Sequence, residues 1–349
     1  MTTRVRRFIQ IGWWRMAAVI AMVVCYKYAL KSIAWDALIR TLQTWQWSDI
    51  AMLVGLNFLI LAAMCWRWHR IVTCLGFAVA FYRLILYRIG GNVISTLTPG
   101  PQFGGEPFQA YWLSRHDSMP LPEALASVTA DRLLEIMANI AVILASGLYL
   151  AMQGIYLNAW HGPVLIAMGL ALLVLGTSAA AYVRNKQPLS QMGRFLADRW
   201  IKADALKEII APIGYCEERV GTALRQPASV LCLYGVAAIS LAILTACELW
   251  LIYAAMGATL TPAQLVVTAA MARLALWTPL PGALGALEVG QTIALSIIGL
   301  DPVIAMAACV IMRARDLVLV GLGTGLAMVW LAKFPRSPRE NRAFLSLNP

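Results

Sequence analysis

Apolar runs long enough to cross a bilayer recur along this chain, and two further apolar stretches are broken at one shared motif. The runs 14–34, 50–66, 121–151, 161–183, 229–256 and 302–332 approach or exceed the roughly 20 residues that a spanning helix needs. Lipid offers no partner for a backbone N–H or C=O, so an isolated run of this kind must bond its own backbone as a helix. Composition agrees: 60% of residues are hydrophobic and 13% are charged, where a soluble domain carries about 25% charged. The chain is read as an all-α polytopic membrane protein with about six full transmembrane helices and two re-entrant helical hairpins.

The broken stretches are 84–115 and 262–299. The first carries Pro99, Gly100, Gly104, Gly105 and Glu106; the second carries Pro281, Gly282, Gly285 and Glu288. Proline and glutamate are seven residues apart in both. The apolar run that follows holds an arginine in each case: Arg132 lies 26 residues after Glu106, and Arg313 lies 25 after Glu288. A repeated helix break followed by a repeated intramembrane charge points to a transport site built from two copies of one unit.

Loop charge sets the orientation. Arg4, Arg6, Arg7 and Arg15, the basic connector after 183, and Lys333, Arg336, Arg339 and Arg342 belong in the cytoplasm. The uncharged links at 153–160 and 257–261 belong outside. The chain then enters the cytoplasm at Arg67–Arg70, hairpin 84–115 starts and ends inside, and hairpin 262–299 starts and ends outside. The result is an inverted repeat. Residues 1–48 form an N-terminal anchor helix and external loop. Residues 49–151 form unit one, 152–228 a linking helix and cytoplasmic amphipathic connector, 229–332 unit two, and 333–349 a cytoplasmic tail. No small-residue cleavage site follows the first apolar run, so it is read as a retained anchor.

The formal charge of +11 speaks to orientation and to anionic lipid headgroups, not to nucleic acid. The seven cysteines show no CxxC spacing and read as apolar packing residues. No metal or cofactor is expected. No nucleotide-binding loop, nucleophile elbow or zinc-protease motif is present in the sequence, so the chain is read as a non-enzyme.

The candidate translocation residues are Asn92, Pro99, Gly100, Gly104, Gly105, Glu106, Asp131, Arg132, Arg273, Pro281, Gly282, Gly285, Glu288 and Arg313. Two readings fit the glutamates. A carboxylate at the start of a half-helix caps its unpaired N–H groups, or it meets substrate or a proton. Two readings also fit the arginines. Guanidinium matches phosphate oxygens in a bidentate way, or it pairs internally, for example Arg132 with Glu288 and Arg313 with Glu106. Glu248, deep in 229–256, and Glu135, three residues after Arg132 and on its face, are further intramembrane charges.

The pattern Asn92…Pro99-Gly100…Gly104-Gly105-Glu106, Ser127…Asp131-Arg132, Leu280-Pro281-Gly282…Gly285…Glu288 and Arg313 resembles the flippase-like transmembrane domain of lysylphosphatidylglycerol synthases. That domain also occurs alone in proteins of the UPF0104 type, one branch of which is associated with hopanoid biosynthesis. The resemblance covers about 50–332. It implies movement of a lipid between leaflets of a bacterial inner membrane: a phospholipid, a polyprenyl-phosphate-linked lipid or a hopanoid. It also implies lipid-biosynthesis enzymes as partners. The synthase members carry a C-terminal aminoacyl-transfer domain; this chain stops soon after Lys333, so tRNA-dependent synthesis is not expected. Asp131 stands where the family often has Glu, and Ala286-Leu287 makes the second block less polar than the first. The alternatives are a secondary carrier for a small anionic solute and a non-transporting partner of a lipid-synthesis complex.

Overall fold

The computed structural model describes residues 45–97, 104–152, 228–276 and 285–333, with isolated positions elsewhere. The anchor helix 14–34, the span 161–183, most of the connector, the tail, and Pro99, Gly100, Pro281 and Gly282 lie outside the described residues. Among the described residues the secondary structure is helical, in eight elements. They are α1 (Trp47–Cys74), α2 (Phe81–Leu97), α3 (Glu106–His116) and α4 (Leu121–Met152), then α5 (Ala228–Ala255), α6 (Pro262–Leu276), α7 (Ala286–Ile297) and α8 (Pro302–Lys333).

The lengths repeat. They run 28, 17, 11 and 32 residues in the first four helices and 28, 15, 12 and 32 in the second four. At 1.5 Å per residue, α4 and α8 are about 48 Å long, whereas α3 and α7 are only about 17–18 Å. The shorter elements fall well below the roughly 30 Å of a hydrocarbon core.

Each short pair folds back on itself. Near the break, Gly105 N–H donates to Ser95 Oγ at 2.9 Å. At the far end, Arg83 donates to Asp117 Oδ1 at 2.8 Å and Tyr87 Oη to Asp117 Oδ2 at 2.7 Å. The start of α2 therefore lies beside the end of α3, and the two are antiparallel. In the second pair, Gln291 of α7 donates to the Thr268 carbonyl of α6 at 2.9 Å, and Gly290 faces the Met271 carbonyl. Higher numbers on one helix again meet lower numbers on the other.

Each group of four helices has its own apolar core. Trp68, Leu84, Tyr87, Trp112, Leu113 and Val128 fill the first, with Tyr87 edge-on to Trp112 at 5.8 Å. Ile252, Tyr253, Leu287, Leu295, Ala308 and Ile311 fill the second. Between the groups, α1 packs on α5, α2 on α8 and α6 on α4. Exchanging the two groups maps these contacts onto one another, as a two-fold relation does. The direction is legible too: Cys74 meets Tyr234, Asn57 meets Glu248, and Asp49 shares a cleft with Ala254 and Gly257. Helices α1 and α5 are antiparallel.

The outward surfaces are apolar. Met52, Val54, Phe58 and Leu59 on α1, Val236, Ile239 and Ile243 on α5, and Leu317, Val318 and Leu322 on α8 are all exposed. The most apolar 18-residue stretches of Trp47–Cys74 and Tyr234–Ala255 have mean hydropathies of 1.9 and 2.0, yet only 11% and 28% of those stretches are buried. Water does not tolerate so broad an apolar exterior on a monomer, and lipid does.

Helix α1 runs beyond the span 50–66 that the sequence suggests. The sequence places Arg67–Arg70 at a cytoplasmic entry point, but the helix continues to Cys74 and Arg67 is 2% exposed. Carboxylates on α4 neutralise it, so the helix does not end at its first arginine.

Candidate functional site

Unit one places five charged side chains on α4 and its neighbours, with Arg88 of α2 making six. Arg67 Nε donates to Asp131 Oδ1 at 2.7 Å, and Arg88 donates to the other oxygen of Asp131. Glu135 Oε2 accepts from Arg67 at 3.4 Å and from Arg88 at 3.3 Å, and its Oε1 accepts from Arg132 at 3.0 Å. Arg132 also pairs with Glu106 at 3.1 Å. Three guanidinium groups thus meet three carboxylates and the cluster is neutral, which makes charge at this depth tolerable.

The glutamates at the breaks each bond a backbone N–H of the break and also pair with an arginine. Glu106 Oε2 accepts from Gly104 N–H at 2.7 Å, and Glu288 Oε2 accepts from Gly285 N–H at 2.8 Å. The remaining oxygen of each meets an arginine: Glu106 with Arg132 at 3.1 Å and Glu288 with Arg313 at 3.2 Å. Arg313 also donates to the Ala283 carbonyl at 2.9 Å, which ties it to the break itself. The sequence suggested Arg132 with Glu288 and Arg313 with Glu106. Instead each arginine holds the glutamate of its own unit, because α3 packs on α4 and α7 on α8. All four side chains remain partly exposed.

The glycines have distinct reasons. A Cβ on Gly105 would fall 2.0 Å from the Gly91 carbonyl oxygen, so only glycine lets α3 begin against α2. Gly285 sits at φ +83°, a left-handed conformation that glycine adopts without strain. Asn92 lies on an exposed face of α2.

The second unit holds a different network. Glu248 of α5 accepts from Asn57 of α1 at 2.8 Å and from Arg315 of α8. Arg315 also pairs with Asp316 at 2.7 Å. Arg273 of α6 crosses to unit one: it donates to Asn139 Oδ1 on α4, and to Thr245 Oγ1 on α5 at 2.8 Å.

Sequence reasoning missed Arg88, Asn57, Asn139 and Thr245 and misplaced Arg67. The signal for Asn139 was available. Ser127, Asp131, Glu135 and Asn139 recur every four residues of an apolar helix, which is one face. Arg88 carried no such signal, since its partners lie 43 and 47 residues away.

Comparison with known proteins places the sequence in a family. A UPF0104 membrane protein of Methanothermobacter thermautotrophicus is 28% identical over 277 residues, covering 76% of this chain and 80% of that protein. A UPF0104 membrane protein of Pyrococcus horikoshii is 22% identical over 321 residues, covering 85% and 92%. No solved structure matches the chain. The family model for the lysylphosphatidylglycerol synthase TM region matches residues 13–323, across both helix groups and both carboxylate–guanidinium pairs, and the chain is a multi-pass membrane protein belonging to that family.

Proposed function

We propose that this protein moves a lipid between the leaflets of a bacterial inner membrane, without enzymatic chemistry of its own. One observation carries the reading: both units present the same partly exposed pair, Glu106–Arg132 and Glu288–Arg313, at a helix break in an apolar surround. A lipid headgroup needs a polar route while its acyl chains stay in lipid, and two such pairs supply one. Exchange of the internal carboxylate–guanidinium contact for contact with a headgroup phosphate frees the arginine, while the glutamate keeps its backbone N–H partner at the break.

In this reading α2–α3 and α6–α7 are re-entrant hairpins that enter from opposite faces, and the two units form an inverted repeat. The shortness of those helices and the antiparallel packing of α1 on α5 support it. Both chain ends are cytoplasmic by loop charge. The substrate is a phospholipid, a polyprenyl-phosphate-linked lipid or a hopanoid. Enzymes that make such a lipid are the partners this role implies.

The test is reconstitution into proteoliposomes with fluorescent lipids of each class and a membrane-impermeant quencher. The expected result is faster leaflet exchange than in protein-free vesicles for at least one class. Arg132→Ala and Glu288→Ala should each slow that exchange by about tenfold or more, the effect of losing one charge-assisted contact. Exchange no faster than in empty vesicles for all three classes overturns the proposal.

A further inference from the structure

The carboxylates of the two networks are fully spoken for, and among the described residues Arg273 is left with neutral partners. In unit one, Glu106, Asp131 and Glu135 are held by Arg67, Arg88 and Arg132. In unit two, Glu288 is held by Arg313, and Glu248 and Asp316 by Arg315. Arg273 makes no ion pair among the described residues; its guanidinium donates to two neutral oxygens, those of Asn139 and Thr245. Glu135, one turn before Asn139 on α4, is the carboxylate whose field reaches Arg273, and its oxygens are already occupied by three other arginines.

The fold itself does not call for a charge there. The equivalent position in unit one, eight residues before Pro99 as Arg273 is eight before Pro281, is Gly91. The counterpart crossing, α2 on α8, is closed by Gly323 packed on Ile89 and Val93. An arginine on one side of a two-fold pattern, bridging both units and partly exposed, has a role other than packing.

We propose that Arg273, with Asn139 and Thr245, is an anion-binding site between the two units, and that its ligand is a phosphate-type oxyanion. A guanidinium offers five N–H donors in a planar fork that fits two phosphate oxygens. Asn and Thr side chains bring an amide and a hydroxyl, which also donate to such oxygens. The phosphate supplies the negative charge that the protein withholds. Its source is a phospholipid headgroup if the lipid-transport reading above holds, on which that assignment rests, or free phosphate if the route is aqueous. A hopanoid without phosphate does not satisfy the site.

Native mass spectrometry of the full chain in detergent tests this, with dioleoylphosphatidylglycerol, dioleoylglycerol and sodium phosphate as probes. Phosphatidylglycerol should bind about tenfold more tightly than dioleoylglycerol, the minimum for one charge-assisted contact. Arg273→Gln should remove that preference and Arg273→Lys should keep part of it. Asn139→Asp gives Arg273 an internal counter-ion, so it should fold at least as well as wild type and still lose the preference. Displacement of phosphatidylglycerol by millimolar sodium phosphate assigns the site to a free oxyanion; resistance to it assigns the site to a lipid headgroup. Equal binding of the two lipids, or unchanged preference in Asn139→Asp, overturns the inference. Leaflet exchange by wild-type vesicles is scored separately: exchange without anion preference removes this site alone, and anion preference without exchange removes lipid transport alone.

Discussion

At the residue scale, Asp131 carries the most. Its side chain is about 3% exposed and its two oxygens serve two arginines from two different helices. Asp131→Asn leaves Arg67 and Arg88 facing Glu135 with one carboxylate for two guanidinium groups, and Glu135 also serves Arg132. Stripping one member from a buried ion cluster costs about 3–5 kcal/mol, because the remaining charge is stranded. Thermal unfolding in detergent, followed by tryptophan fluorescence, should show a clear drop in midpoint; an unchanged midpoint would mean the network is solvated. Gly105→Ala acts by shape alone. Its Cβ would overlap the Gly91 carbonyl and crowd Ser95 Oγ, so α2 and α3 must separate. Overpacking of this kind costs about 1–3 kcal/mol and should lower the yield of monodisperse protein on size-exclusion chromatography, whereas Gly55→Ala, with open space around it, should not.

At the scale of elements, each unit ties its first long helix to its last by an ion pair, and the polarity is reversed between units. In unit one the cation is on α1 (Arg67) and the anions are on α4 (Asp131 and Glu135). In unit two the anion is on α5 (Glu248) and the cation on α8 (Arg315). Arg67 and Glu248 are each the twenty-first residue of their helix, so the two units share the position of the clamp but not its sign. A double-mutant cycle with Glu248→Gln and Arg315→Gln should give a coupling of about 0.5–3 kcal/mol, read from unfolding midpoints. Additive single effects would show that α5 and α8 are joined by packing alone. The hairpins are clamped differently. Arg83 and Tyr87 hold Asp117 across the open end of the first, and Tyr253 of α5 holds Gln291 of the second at 2.7 Å.

At the scale of the molecule, the proposed inverted repeat sets the two hairpins on opposite faces of the membrane, a reading that the antiparallel contact of α1 with α5 supports. Ala80, just before α2, and Thr261, just before α6, are both exposed and report on this directly. With the native cysteines replaced, Thr261→Cys should react with a membrane-impermeant maleimide in intact cells, and Ala80→Cys only after the membrane is opened. Labelling of both from one side would rule out inverted units. How much of this was legible beforehand differs by feature. The two break motifs and the equal spacing to Arg132 and Arg313 are in the sequence because they are local. The helix pairs flanking the breaks fall where those motifs put them, at Phe81–Leu97 with Glu106–His116 and at Pro262–Leu276 with Ala286–Ile297. The partners of the charges were not legible: the arginine for Glu106 is 26 residues away, and those for Asp131 are 64 and 43 away.

The amino-acid sequence alone determined that this chain lives in lipid, that its units repeat, and where each is broken. Hydropathy, loop charge and Pro-Gly punctuation act over a few residues and need no neighbours to be read. Only the tertiary structure decided which charges meet. Arg67 proved to be a buried partner of Asp131 and not a loop residue, each break glutamate took the arginine of its own unit, and Arg273, among the described residues, was left with amide and hydroxyl oxygens. The reason is distance. A buried charge is stable only against partners within about 4 Å, and which side chains come that close is fixed by how helices pack, not by the order in which they are written.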